Sequence, residues 1–199
     1  PVRVTLPDAF VRDYDQMRER FRWATQRGFD DIDVPQARMS VQDFLDFLQR
    51  WESQVAIPEV RAALAEFRDC AEGLRRHLER IHLSHLFELI ETRFEWTMAE
   101  LFFKTSRTYI ELMKHAPEQL RPQLEKIYRD HIGRDYVPAE EFRESEAAVD
   151  RAEAKFQTSF REYEAHWPER GPAELRQRLL TSTTEALKAW QDELNRDFA

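Results

Sequence analysis

The sequence predicts an all-α protein, a helical bundle of about six or seven helices with a long C-terminal antiparallel helical hairpin. Three observations carry this. The 199 residues contain 4 glycines, too few for a chain of tight hairpins, phosphate-cradling loops or nucleotide-binding βαβ units. Apolar residues recur at three- and four-residue spacing along most of the chain. Proline and glycine fall between those stretches, where helices begin and end. Composition excludes further classes. A single cysteine leaves no disulfide framework and no cysteine-based zinc or iron–sulfur site. Aromatics at 12% argue against disorder, because such rings are worth burying. A net charge of −8 disfavours nonspecific contact with DNA, RNA or anionic lipid.

The first helix opens near Pro7 or Asp8 and places Phe10, Tyr14, Met17, Phe21 and Ala24 on one face. Gly28 stops it, with Arg27 at the negative end of the helix dipole. A loop follows to Met39, carrying Asp30, Asp31, Asp33 and Pro35. Those aspartates lack the alternation, the turn glycine and the distal glutamate of a calcium loop. Ser40 then opens a short helix in a capping-box-like arrangement with Asp43, and Val41, Phe44, Leu45, Leu48 and Trp51 form its stripe.

Pro58 suits the first turn of the next helix. Its stripe is Val60, Leu64, Phe67, Ala71, Leu74, Leu78 and Ile81, and Cys70 is expected as a buried structural thiol beside it. No proline appears again until Pro117. One helix of that span is ~85 Å long, more than an ordinary domain accommodates, so a break is expected in the Trp96 region. Gly73 is the other place for a kink or a close helix contact. The stripe re-forms as Met98, Leu101, Phe102, Thr105, Tyr109, Leu112 and Met113. A short helix over 118–132 ends at Gly133. Pro138 opens a long helix to about Trp167, Pro168–Pro172 breaks it, and a final helix runs over 173–196. Phe142, Val149, Phe156 and Tyr163 are seven apart, as are Leu180, Leu187 and Leu194, which is the spacing of a seam facing a partner helix. Residues 1–133 therefore read as a compact helical bundle. Residues 138–199 read as a hairpin packing on it or on a partner, the two forming one continuous domain.

The segment from His77 to Glu91 is the most informative chemically. Arg80, Ser84, Glu88, Glu91 and Glu95 form one narrow polar wedge, and most of the remaining circumference is apolar. His82 and His85 lie on the apolar side and are expected as buried neutral imidazoles, hydrogen-bonded to carbonyls or carboxylates of neighbouring helices. A pH-sensitive or ligand-contacting pair is the other histidine reading. Glu79 and His82 make an E-x-x-H pair. With His85, Glu88 and Glu125 they are the candidate ligands of a di-metal carboxylate site, whose ferritin-like form needs two such pairs where this chain has one. Glu111–His115 and Asp130–His131 are weaker pairs. Glu100–Lys104 reads as a solvated ion pair, and Arg61, Arg68 and Arg75 read as cations opposed by interleaved glutamates rather than as a nucleic-acid stripe.

The expected function is non-catalytic: an accessory, adaptor or assembly subunit working through helix-to-helix contacts. Its interaction residues are Phe142, Val149, Phe156, Phe160, Tyr163, Leu180, Leu187, Trp190 and Leu194, and its partner is another protein or a second copy. Neither a cofactor nor nucleic acid is expected. The alternatives are a di-metal oxidoreductase on the ligands above and a carrier of small apolar ligands with a pocket under the His82/His85 helix. Neither a membrane span nor a signal peptide is visible, and low cysteine use fits the cytoplasm, the expected location.

Overall fold

Proline sets the helix starts. The computed structural model describes residues 8–26, 34–133 and 135–198, and they form seven helices. These are α1 (Asp8–Gln26), α2 (Val34–Glu52), α3 (Pro58–His115), α4 (Arg121–Ile132), α5 (Pro138–His166), α6 (Pro172–Thr181) and α7 (Thr184–Phe198). Helices α2 to α6 each carry a proline at the first or second position, where its missing N–H has no partner to lose. Gly133 closes α4 at φ +80°, its N–H bonded to the Arg129 carbonyl at 2.7 Å. Gly171 takes φ +64° in the turn between α5 and α6. A left-handed backbone is strained for other residues, so both glycines are needed where they stand. No strand occurs among the described residues, and none of their helices is long and apolar enough to cross a membrane.

The chain divides into two compact units, Pro1–Ser84 and His85–Ala199. In the first, α1, α2 and the start of α3 share a core of Phe10, Phe44, Phe47, Leu48, Trp51, Val55, Leu64 and Ala71. Phe10 meets the Trp51 ring edge-on at 5.2 Å. Asp13 of α1 accepts from both the Trp51 indole at 3.2 Å and the Arg50 guanidinium at 3.0 Å. Arg68 reaches Glu52 at 2.6 Å, Arg75 reaches Glu72, and Arg61 donates to the Val55 carbonyl. Of the three, only Arg75 meets an interleaved glutamate; Arg68 is opposed by Glu52 of α2 and Arg61 by a backbone carbonyl.

In the second unit, α5 runs antiparallel to the C-terminal half of α3. The contacts give the direction: Phe103 with Phe142, Trp96 with Phe156, Glu95 with Lys155, Glu88 with Ser159, and His85 with Trp167. Numbers fall along one helix as they rise along the other. The turn after α5 brings α6 back along it, where Arg176 bonds Gln157 at 2.7 Å and stacks over Phe160. Arg93 of α3 donates to the Leu179 carbonyl of α6 and lies 4.3 Å over the Trp96 ring. The division at 84/85 falls within α3, a different place from the 133–138 boundary in the sequence.

Several expectations are corrected. Helix α3 is continuous from Pro58 to His115, with no break near Trp96 or Gly73, since no proline interrupts its hydrogen bonds. A Cβ at Gly73 meets nothing within 4 Å, so this glycine marks no close helix contact. Helix α2 starts at Val34 rather than Ser40, and the Ser40 hydroxyl turns back to the Gln36 carbonyl at 2.9 Å inside the helix. Cys70 is exposed, because Ala71, one residue on, takes the core-facing direction.

The helix expected over 173–196 is two helices. Ser182 is extended (ψ 139°), its hydroxyl bonds the Arg178 carbonyl, and Thr183 Oγ1 accepts from the Ala186 N–H at the start of α7. The Gly28 stop and Asp30, Asp31 and Asp33 lie outside the described residues, as do the side chains of Met17, Phe21, Ala24 and His131.

Candidate functional site

Two places in the second unit bear on function: a histidine–tryptophan cluster where α3 meets the end of α5, and the apolar surface.

His85 and Trp167 are brought together because α5 is long enough to return to the unit's first residue. Trp167 is fully buried, and its indole N–H donates to His85 Nδ1 at 2.8 Å. An indole N–H only donates, so Nδ1 must hold a lone pair and a neutral His85 carries its proton on Nε2. The imidazole is half-buried. Burial, and next the neighbouring His166, push its pKa below the ordinary 6.5, while Glu88 and Glu162 pull the other way. The His166 ring stands 5.4 Å from that of His85, and its Nδ1 lies 2.7 Å from the Glu162 carbonyl. The Ser159 hydroxyl donates to Glu88 at 3.2 Å rather than to the imidazole. His85 is therefore a packed acceptor. Its partner is an indole, not the carbonyl or carboxylate expected. The sequence marks Trp167 only as the end of a helix, and nothing local in it pairs residues so far apart.

The remaining candidate ligands have surroundings of their own. His82 is buried and Glu79 half-buried in the first unit, and Glu88 faces Ser159. Glu125 lies near Tyr109, whose hydroxyl donates to the Leu124 carbonyl. Burial, then Glu125, raises the Tyr109 pKa above its usual value. Among the described residues no group of three or more His, Cys, Asp or Glu side chains is placed to hold a metal ion. Tyr109, Tyr128 and Tyr136 pack ring on ring at 5.1–5.3 Å beside a surface cavity of about 460 Å³ lined by Met113, Lys114, Arg121 and Glu125. A second cavity of about 320 Å³ is lined by Leu112, His115, Leu120, Leu124 and Ile127. Neither is lined by His82 or His85.

The nine expected interaction residues separate by burial. Phe156, Phe160, Tyr163, Leu187 and Leu194 are buried. Val149 and Trp190 are half-covered, Trp190 beneath the Arg178 guanidinium at 4.3 Å. Phe142 and Leu180 are exposed. In α6 the buried leucine is Leu179 (0% exposed) and not Leu180 (40%). The interruption at Ser182–Thr183 removes the continuous helix on which Leu180 and Leu187 would share a face.

The exposed apolar surface lies instead on α3. Met98, Leu101, Phe102 and Leu112 are all open to solvent, the first, second and fourth of them on the side of α3 turned away from α5. The periodicity reads them as core, and sequence alone gives no sign that nothing covers them. No family model, curated protein or solved structure matches this chain.

Proposed function

We propose that this chain is a non-catalytic helical accessory, adaptor or assembly subunit that acts through helix-to-helix contacts with another protein chain. The observation that supports this is the open apolar stripe Met98–Leu101–Phe102–Leu112 on a long, regular helix. Exposed apolar residues repeated along a helix are the feature that partner helices bury. The threonines within it favour the same reading. Thr105 and Thr108 donate their hydroxyls to the Leu101 and Lys104 carbonyls at 2.9 and 3.0 Å. A partner can therefore cover the stripe without stranding a hydroxyl. The histidine cluster supports a structural role for His85, since its Nδ1 is already occupied by Trp167.

The test is the native size of the chain in extracts of the cells that produce it, followed by size-exclusion chromatography with immunodetection. The expected result is a species well above the 23.9 kDa of one chain, shifted down by Leu101→Asp with helicity retained. Elution as a single chain in both cases rejects the reading.

A further inference from the structure

We infer that the partner on this stripe is a second copy of the chain, docked antiparallel about a two-fold axis centred between Thr105 and Thr108. The inference rests on the contact reading above and supplies its occupant. Four features of α3 point to it.

First, the stripe follows a heptad pattern: Phe94, Leu101 and Thr108 are seven apart, and Met98, Thr105 and Leu112 interleave with them. Such a seam buries against a helix carrying the same pattern. Second, an antiparallel copy centred there sets Leu101 against the partner copy's Leu112 and Thr105 against its Thr108. Under two-fold symmetry each contact occurs twice. Third, the flanking charges match in that register. Lys104 and Glu111 are both exposed, occupy equivalent heptad positions on one side of the seam, and fall opposite each other across the axis. A parallel copy would set Lys104 beside the partner copy's Tyr109 and forfeit both pairs. Fourth, the same register sets exposed Met98 opposite His115, which lines the 320 Å³ cavity with Leu112, Leu120 and Ile127. Each copy then offers an apolar projection at one end of the stripe and a recess for it at the other, which is what an isologous contact requires.

The experiment uses the whole chain with Cys70→Ser, because Cys70 is exposed and would confuse cross-linking. Light scattering should give a dimer at micromolar concentration. Lys104→Glu and Glu111→Lys should each weaken it by about tenfold or more, since each sets like charges together twice. The double variant should recover most of the lost affinity. Under mild oxidation, Leu101→Cys with Leu112→Cys should form a covalent dimer, and Leu101→Cys alone should not. These two positions lie ~16 Å apart along one helix, too far to close within a chain.

Circular dichroism of every variant separates loss of the contact from loss of fold. A covalent dimer from Leu101→Cys alone overturns the antiparallel arrangement. Failure of the double charge variant to recover overturns the register. A monomer in pure solution, with a large species in extracts that Leu101→Asp still dissolves, overturns the second copy and leaves the contact reading standing. A monomer in both overturns both.

Discussion

Two apolar stripes with the same period meet opposite fates in the second unit. Phe156, Phe160 and Tyr163 of α5 and Trp167 at its end are almost completely buried, whereas Met98, Leu101, Phe102 and Leu112 of α3 stay open to solvent. Both repeat at helical spacing, and in the sequence each reads only as a face that needs covering. The difference lies in what stands opposite. The α5 stripe has α3 and α6 against it. Met98, Leu101 and Leu112 lie on the side of α3 turned away from α5, and Phe102 stays open at its margin. Periodicity identifies a face that needs a partner, and it says nothing of whether that partner belongs to the same chain.

The largest test of this contrast is Phe160→Ala. Its ring packs on Phe156 and under Arg176, so the cavity should cost about 3–5 kcal/mol in chemical denaturation. A cost similar to that of a surface change would mean that the α5 stripe is not core. Next is a pair of neighbours. Leu179→Ala should lose about 2–5 kcal/mol and Leu180→Ala no more than about 0.5 kcal/mol, which reads the α6 register directly. Equal losses would restore the uninterrupted C-terminal helix.

At the junction of α3 and α5, His85→Ala strands the Trp167 indole N–H and should cost about 1–3 kcal/mol. The same residue gives a pH dependence. Its folded pKa lies below the ordinary 6.5, so the unfolded chain binds the proton more readily. The stability it contributes is complete above 6.5 and falls as pH drops through the folded pKa. Thermal melts of the native protein should slope downward over that acid window, and the slope should flatten in His85→Gln. An unchanged slope would place the titration elsewhere.

Smaller still, Gly73→Ala should stabilise by about 0.5–1 kcal/mol, because the site is mid-helix and open around the new Cβ. The smallest effect is on the α3 stripe. Leu101→Ser, measured on dilute monomer, should stay within about 0.5 kcal/mol of the native chain. A large loss there would make the stripe part of the fold and remove the contrast.

Much of the architecture was legible because it rests on local rules. Scarce glycine and helical periodicity gave the all-α class, and Pro58, Pro138, Pro172 and Gly133 gave boundaries within a residue or two. The misplaced boundaries involve local competition of another kind. Ser40 reads as a cap but bonds backward inside α2, and the Ser182–Thr183 pair reads as helix but caps both sides of a break. The His85–Trp167 bond joins residues 82 positions apart, and only the antiparallel return of α5 along α3 makes it.

The sequence by itself therefore determined the helices and the faces they must bury, since backbone hydrogen bonding and the 3.6-residue repeat act over a few residues. Only the tertiary structure decided which faces found a partner within the chain. It chose Leu179 over Leu180, gave His85 an indole instead of a carboxylate, and left Met98, Leu101, Phe102 and Leu112 uncovered. Burial depends on which surfaces meet across long separations in the chain, and the hydrophobic effect is indifferent to whether the covering surface comes from the same chain or from another.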